Sequence, residues 1–475
     1  MIDDRPCACG MLLNVVVAFT VILGEEPIMK NLSLTNTLSG TQEPFQARSN
    51  QKVSLYVCGV TPYDFAHMGH GRCYVTFDLL YRLLLFLGYD VTYCRNFTDV
   101  DDKLLSRAQQ ELGDRLQYPA VAQKYIDAYH EDMKALNCLI PSCEPRVTET
   151  IPEIIAFIEG LIGQDKAYVV NGDVYYRVRS FEPYGKLSKR DIDELESGAR
   201  IDVDDRKEDP LDFALWKSEP EGMFWKSPWG YGRPGWHIEC SAMAKKFLGD
   251  QIDIHGGGMD LMFPHHENEI AQTEGLTGKE FVKYWVHNAF VTINKEKMSK
   301  SLGNFFTLRE VFKKFDPMVI RYYFLAHHYR APLDFTFENL EAMSKSYQRL
   351  CKAFEQYDCS QKMTTEQMKT SSTVERMLGF LCDDLNASGM FGVLFEALRT
   401  LRADEACKIK AFVLTVLGLD LIPLKQEVIM TPEIERMMRE RDEARATRDW
   451  NRADQLRDAL QKLGVEVQDK PIKKG

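Results

Sequence analysis

Two short motifs, more than two hundred residues apart, carry side chains suited to handling phosphate. His67 and His70 lie in the string His-Met-Gly-His, and Lys297 and Lys300 lie in the string Lys-Met-Ser-Lys-Ser. The histidines follow a strand-like run, so they are expected at a helix start, where unpaired backbone N–H groups attract phosphate and Gly69 permits close approach. The lysines add mobile positive charge that can neutralise a triphosphate in a transition state. Together the motifs predict a site for the phosphates of ATP.

The elements around the histidine motif indicate the first half of a nucleotide-binding fold. Residues 53–57 form a strand-like run, 74–87 an apolar helical run, 91–94 a second strand, and 103–139 amphipathic helices. Each motif alone has an ordinary alternative: a His-x-x-His pair caps a helix or forms half a metal site, and a lysine loop is often a solvated turn. Their joint occurrence in this order favours the phosphate site.

A second set of side chains has the chemistry of metal ligands. Its members are Cys58, Cys240, His265 and Glu269. The last two are four residues apart, which places them on one face of a helix. Two thiolates, an imidazole and a carboxylate suit zinc, and their wide separation predicts a site assembled by the fold. His266 with Glu267 or Glu269 is an alternative ligand choice that spacing alone leaves open.

The two phosphate motifs resemble the paired signatures of the class I aminoacyl-tRNA synthetases, with Met68 in place of the usual isoleucine. Three longer strings, at residues 56–61, 232–241 and 255–269, resemble the cysteinyl-tRNA synthetases. The resemblance implies ATP-dependent attachment of cysteine to tRNA(Cys), with magnesium accompanying ATP. It also implies one zinc ion per chain, with Cys58, Cys240, His265 and Glu269 as its ligands.

The resemblance also implies roles for other residues. ATP would contact Lys300, Gly69, Gly257, Asp260 and His287, and the substrate cysteine would contact Thr61 and Trp236. Glycines before Asp260 allow the backbone close to a ligand, and its carboxylate can accept hydrogen bonds from a ribose. Ordinary alternatives are a glycine turn with a capping aspartate and a tryptophan that belongs to the core.

The C-terminal segment is expected to contact tRNA. Residues 431–463 read as two charged helices, which most often means only a solvated surface. In the resembling family this region reads the anticodon, and Arg445, Trp450 and Asp454 stand at the matching spacing, with Asp469 at a further acidic position. A tryptophan that pins two helices together is the alternative. The last residues, 470–475, depart from the family's usual ending.

The predicted fold class is α/β: a Rossmann-like parallel-sheet catalytic domain with an inserted subdomain, followed by an all-α C-terminal region. The predicted divisions are an extension (1–33), two catalytic halves (34–147 and 229–325), an insertion (148–228), a helical bundle (326–425) and an anticodon-binding tail (426–475). No strands are expected after residue 332, and 361–373 is expected to be a loop.

Composition limits the partners and the compartment. The 475 residues carry a net charge of −11, so RNA contact would depend on local basic patches. The twelve cysteines lack paired spacing, which favours a reducing cytoplasm. The apolar run 11–23 is too short to span a bilayer, and no membrane association is expected. A monomer is expected.

Two other functions share part of this pattern. A ligase that joins activated cysteine to a small amine or an amino sugar would need the same catalytic motifs without the C-terminal tail. A non-catalytic, zinc-stabilised RNA-binding protein would need neither the histidine nor the lysine motif. The presence of both motifs and of the tail favours a cysteine-activating, tRNA-dependent enzyme.

Overall fold

The computed structural model describes residues 32–192, 206–293, 296–297, 305–424 and 432–462. The apolar run 11–23, Lys300 and Asp469 lie outside these residues, and of Lys297 only the backbone is described. Within the described ranges, no helix is both long enough and apolar enough to cross a bilayer.

A four-stranded parallel sheet forms the centre of the catalytic domain, in the order β11-β10-β3-β4. Its strands are β3 (Lys52–Val60), β4 (Asp90–Phe97), β10 (Ile252–Gly258) and β11 (Val282–Asn288). Helices cover both faces of this sheet, so β3 and β10 are almost continuously buried, as expected for parallel strands. The predicted strands 53–57 and 91–94 both lie within longer observed strands.

The helices of the two catalytic halves surround this sheet. They are α1 (Met68–Phe86), α2 (Asp102–Leu112), α3 (Tyr118–Ala135), α5 (Trp236–Leu248), α6 (Glu267–Thr277), α7 (Leu308–Phe312) and α8 (Pro317–Leu325). Helix α1 begins six residues before the apolar run at Tyr74, because His67 caps it immediately after the strand-to-helix turn. Fifteen of its nineteen residues are buried, and Phe77 fills the space beside Gly256 of β10.

In its described residues, 148–192 and 206–234, the insertion contains a separate antiparallel sheet of five strands with a helix against it. The helix is α4 (Ile151–Gly163), and the strands are β5 (Ala167–Val170), β6 (Asp173–Tyr176), β7 (Phe213–Ser218), β8 (Trp225–Ser227) and β9 (Gly230–Pro234), in the order β5-β6-β7-β9-β8. Strand β9 pairs with both β7 and β8. We therefore propose that the insertion ends at Pro234 and not at residue 228.

The helical bundle differs from expectation in two places. Its helices, with the two C-terminal ones, are α9 (Phe337–Glu355), α10 (Thr365–Lys369), α11 (Ser372–Leu381), α12 (Ala387–Ala397), α13 (Ala403–Phe412), α14 (Pro432–Ala446) and α15 (Trp450–Lys462). A strand, β14 (Leu333–Phe335), follows residue 332 and pairs with β12 (Val291–Ile293), which also pairs with β13 (Glu296–Lys297). The predicted loop 361–373 contains α10, whose first turn Thr364 closes with a capping box.

A buried ionic cluster joins helix α1 to the bundle. Asp78 accepts hydrogen bonds from Arg82 (Nε, 2.7 Å) and from Arg321 of α8. The two guanidinium groups also donate to backbone carbonyls that follow α13, Arg321 to Leu417 (2.6 Å) and Arg82 to Thr415 (3.1 Å). Burial alone would raise the pKa of Asp78, but the two arginines hold it below its ordinary value.

An N-terminal hairpin, β1 (Ser33–Asn36) and β2 (Thr41–Pro44), connects the edge of the central sheet to the bundle. Asp384 accepts from the backbone N–H of Thr35 (2.8 Å) and from its hydroxyl (2.7 Å). On the other side, the Oδ1 atom of Asn36 accepts from the backbone N–H of Trp285 in β11 (3.0 Å). The hairpin thus bridges two parts of the chain that are distant in sequence.

Candidate active site

A cleft of about 410 Å³ opens at the carboxyl ends of β3, β10 and β11. In an α/β fold of this type, ligands bind at this end of the sheet. The cleft brings together residues that the sequence placed in three different motifs. Its lining includes Cys58, Thr61, His67, His70, Trp236 and Asp260.

His67 and His70 cap helix α1 and line the cleft at the same time. Each backbone N–H donates to Nδ1 of the other ring at 3.3 Å, and the rings stack with centroids 3.6 Å apart. An Nδ1 atom that accepts cannot carry the proton of a neutral imidazole, so that proton lies on Nε2. Both rings are therefore held as Nε2–H donors, which suits phosphate oxygens. The capping alternative is thus realised, and the arrangement is compatible with the phosphate-binding role, which stays a prediction.

The four predicted metal ligands meet beside the cleft, which Cys58 lines. Ligand atoms of Cys58, Cys240, His265 and Glu269 all lie within 4.8 Å of one another. The two sulfurs are 3.8 Å apart, and Nε2 of His265 is 3.1 Å from Oε1 of Glu269. His265 lies in a short turn just before α6, so the predicted shared helix face is formed across a helix start.

The charges in this cluster already favour a divalent cation. A hydrogen bond from Cys58 lowers the pKa of Cys240 to about 6. Burial would raise the pKa of Glu269, but His255 and His265 hold it at about 2. Burial would lower the pKa of His265, but Cys240 and Glu269 raise it to about 10. A cationic imidazole thus lies between two anions, and a metal ion could take the place of its proton.

A second group of four could also hold a metal: Cys58, His255, His266 and Glu269. It shares Cys58 and Glu269 with the first group. It corresponds to the alternative that spacing left open, in which His266 is the ligand and not His265. All three histidines are buried, but the His265 ring contacts Trp236 of the cleft in a tilted arrangement, with centroids 4.3 Å apart. The first group therefore contacts the cleft through His265 as well as through Cys58, which the two groups share. His255, whose Nε2 lies 2.9 Å from Glu269, orients that carboxylate.

The structure places the predicted ATP contacts unevenly. Gly69 and Asp260 line the cleft. Gly257 does not line the cleft, whereas its neighbour Gly258 does. The space beside Gly257 is occupied, since a Cβ there would meet Leu261 and His266 at 3.0 and 3.2 Å.

His287 lies outside the cleft as well. It is buried between Thr37 and His266, to which its two ring nitrogens are hydrogen-bonded at 2.8 Å each. Since successive residues of a strand point to opposite faces, its neighbour Asn288 reaches the cleft instead.

The cleft wall also contains residues that the sequence did not single out, among them Tyr63 and Lys103. The Nζ atom of Lys103 lies 5.4 Å from the centre of the Tyr63 ring. The sequence predicted amphipathic helices from residue 103 onward, and Lys103 is the second residue of α2, behind the cap Asp101. The N-cap aspartate before this helical run indicates a helix start, but nothing in the sequence places that helix beside the cleft.

Gly59 allows the strand that carries Cys58 to approach its neighbour. A Cβ at this position would lie 1.5 Å from the carbonyl oxygen of Asn96. We expect Gly59→Ala to destabilise the fold by about 3 kcal/mol or more, because two paired strands would have to separate. Thermal unfolding midpoints measure the effect. Gly163→Ala is the matched control, since a Cβ there meets nothing within 4 Å, and equal midpoints for the two variants would contradict the expectation.

The C-terminal helices place the predicted anticodon residues at a helix junction. Arg445 lies in the last turn of α14, and Trp450 is the first residue of α15. The Trp450 side chain is 51% exposed, so it does not pin the two helices together as a core residue would. Asp454, one turn later, pairs with Arg457 at 2.9 Å.

Comparison with known proteins agrees with this geometry. The family model described as "tRNA synthetases class I (C) catalytic domain" matches residues 44–345, and that described as "Cysteinyl-tRNA ligase anticodon binding domain" matches residues 429–474. A protein from Geobacillus thermodenitrificans named "Cysteine--tRNA ligase" is 47% identical over 93% of this chain and 98% of its own length. One of the same name from Trichlorobacter lovleyi has the same identity and coverage.

Solved structures with low sequence identity share the fold. A methionyl-tRNA synthetase from Mycobacterium tuberculosis, in complex with methionyl-adenylate, superposes with a TM-score of 0.53 at 13% identity, covering 79% of this chain and 92% of that one. A LeuRS from Agrobacterium radiobacter, in a complex with tRNA and LeuAMS, gives 0.54 at 12% identity, covering 79% and 85%. The class I synthetase fold, the two family models and the long matches to curated relatives agree, and the chain belongs to the cysteine–tRNA ligase family of class I aminoacyl-tRNA synthetases.

Proposed function

We propose that this chain activates L-cysteine with ATP and transfers the cysteinyl group to the 3′ end of tRNA(Cys). One observation carries the proposal: the paired imidazoles of His67 and His70 line the same cleft as Cys58, which belongs to the cluster with Cys240, His265 and Glu269. A phosphate-binding pair beside a thiol-binding centre suits one substrate that carries both a thiol and a carboxylate.

The activation step requires positioning and charge stabilisation. The cysteine carboxylate attacks the α-phosphorus of ATP, the bond to the bridging oxygen breaks, and pyrophosphate leaves with that oxygen. The Nε2–H groups of His67 and His70 would donate to the phosphate oxygens as charge shifts onto them. Asp260, which also lines the cleft, would accept hydrogen bonds from the ribose. Lys297 and Lys300 would neutralise pyrophosphate, and magnesium would enter with ATP.

Zinc would be held by Cys58, Cys240, His265 and Glu269, whose donor types match its preferences. When bound, zinc supplies a coordination position that takes the substrate thiol as thiolate, and serine cannot form that bond. Trp236, in contact with His265, would form an apolar wall for the substrate side chain, and Thr61 would contact its polar end. Discrimination at this centre would make a separate editing site unnecessary.

The second step needs a path for the tRNA 3′ end, and the cleft offers one. Tyr63 and Lys103 line both the cleft and a neighbouring groove over α2, which continues past Ser106 and Gln110 toward Arg233 of the insertion. Aromatic, hydroxyl and amide groups suit single-stranded nucleotides, and cations suit their phosphates. We propose that the terminal ribose enters the cleft along this groove. Its hydroxyl then attacks the carbonyl carbon of the mixed anhydride of cysteine and AMP, which the first step forms, and AMP leaves.

Pyrophosphate exchange and tRNA charging, measured together, test the function. We expect cysteine to support exchange without tRNA, serine to fail, and tRNA(Cys) to be charged. A ligase acting on a small amine would exchange but not charge tRNA, and a non-catalytic RNA-binding protein would do neither. Exchange without charging, or neither activity, would replace the proposed function by the corresponding alternative. Gel filtration would test the expected monomer.

The exposed Trp450 supports anticodon recognition by Arg445, Trp450, Asp454 and Asp469. We expect Trp450→Ala to raise the KM for tRNA about tenfold, since stacking on one base contributes about 1–3 kcal/mol. Pyrophosphate exchange should not change. Phe247→Ala, which removes another exposed aromatic ring, is the matched control and should alter neither. A parallel fall in exchange and charging would assign Trp450 to the fold and not to tRNA.

A further inference from the structure

Two cysteines of the helical bundle, Cys359 and Cys407, are joined by a disulfide. Cys359 lies in the loop after α9, and Cys407 lies within α13, with Cα atoms 5.0 Å apart. This separation is within the ordinary range for a disulfide. The sequence suggested no such pair, because the residues are 48 positions apart and follow no motif.

The pair is more accessible to solvent than most of the other described cysteines. Eight described cysteines are free, and six of these are buried. Cys359 and Cys407 are both half-buried on a face of the bundle, away from the residues that line the cleft. A small thiol or disulfide molecule can therefore reach them, which is the first requirement for exchange.

We propose that Cys359 and Cys407 are a reversible thiol–disulfide pair that exchanges with a small disulfide such as glutathione disulfide. In a reducing compartment, such a pair is a dithiol until an oxidant is present. One thiolate attacks a sulfur of glutathione disulfide, forming a mixed disulfide and releasing one glutathione. The second thiolate then attacks the protein sulfur of that mixed disulfide and releases a second glutathione. Two protein thiols are oxidised and one glutathione disulfide is reduced to two glutathiones.

The position of the pair indicates what oxidation would change. The crosslink ties the loop after α9 to α13 and encloses the three helices between them, α10 to α12. Helix α13 continues into the turn whose Thr415 and Leu417 carbonyls accept from Arg82 and Arg321. Oxidation would therefore restrict the unfolded chain and stabilise the part of the bundle that docks on the catalytic domain.

Thiol trapping tests the proposal on the full, zinc-loaded chain. The protein is equilibrated with reduced glutathione and glutathione disulfide at a series of ratios, free thiols are alkylated, and peptides are identified by mass spectrometry. We expect a peptide crosslinked through Cys359 and Cys407 that appears with glutathione disulfide and disappears in excess reduced glutathione. The thermal midpoint of the oxidised form should be higher by about 5 °C or more.

Serine variants supply the controls. Cys359→Ser should leave Cys407 as a mixed disulfide with glutathione, and the double variant Cys359→Ser/Cys407→Ser should have one thermal midpoint at every ratio. Unchanged pyrophosphate exchange would show that Cys58 and Cys240 had stayed reduced. Three results would overturn the proposal: no crosslinked peptide at any ratio, a crosslink that persists in excess reduced glutathione, or a shift in midpoint that the double variant also shows.

Discussion

Replacing Cys240 or His265 with alanine should remove bound zinc and cysteine-dependent pyrophosphate exchange together. A metal that stabilises substrate charge contributes several kcal/mol, so exchange should fall by a factor on the order of 10³. Metal content, measured by mass spectrometry of the purified variant, and exchange at saturating cysteine check the two parts. A variant that loses exchange but keeps its full zinc content would show that the replaced residue is not a zinc ligand, which would contradict the ligand assignment.

The two overlapping groups of candidate ligands make this test more specific. Cys58 and Glu269 belong to both groups, so their variants cannot distinguish them. His266→Gln should keep zinc if the metal lies between Cys240 and His265, and should lose it if the second group is the site. His255→Gln should keep zinc with an affinity reduced about 10- to 100-fold, as expected for a group that orients a ligand. Thermal midpoints of all four variants identify any that fail to fold.

Asp78→Ala should be among the most destabilising single changes in the chain. It would leave the guanidinium groups of Arg82 and Arg321 buried without a counter-charge, which costs about 3–5 kcal/mol. Glu396→Ala is the matched control, because it also removes an arginine's partner, but Arg376 and Glu396 are 57% and 62% exposed. Exposed pairs contribute about 0–1 kcal/mol. Similar thermal midpoints for the two variants would contradict the stabilising role of the cluster.

The same cluster predicts a dependence of stability on pH. The pKa of Asp78 is lowered in the folded chain, so the folded state binds its proton less tightly than the unfolded chain does. Its contribution to the free energy of unfolding is therefore complete at neutral pH. It is lost as the pH falls below about 4, the ordinary value for aspartate. Wild type should lose stability in this range more steeply than Asp78→Asn.

The sequence predicted the parts of the site that depend on residue type and local order. His67 and His70 occur at a helix start because their own side chains cap it, and this local interaction is readable from spacing. The parallel sheet was predictable for a similar reason, since β3 and β4 are apolar runs separated by a helical period. Spacing alone left His266 open as an alternative to His265, and it was the family resemblance that implied His265 among the zinc ligands.

The sequence could not predict which side chains face the cleft, because this depends on strand register and on how the elements pack together. His287 was expected at ATP, yet its position within β11 turns it toward Thr37, and only the register of the sheet decides this. Lys103 reaches the cleft because α2 begins beside Tyr63, a placement set by tertiary packing. Strand β14 has three residues and exists because β12 lies beside it, so it carries no period of its own.

The N-terminal hairpin has a consequence for how the enzyme is made. Thr35 is synthesised early, but its partner Asp384 follows 349 residues later. At about 5–20 residues per second, a ribosome needs roughly 20–70 s to produce that partner. Throughout this interval the hairpin lacks its anchor on the bundle, and its contacts with β11, such as that between Trp285 and Asn36, must hold it alone. We therefore expect the hairpin to be fixed on both sides only after synthesis has passed the middle of the bundle.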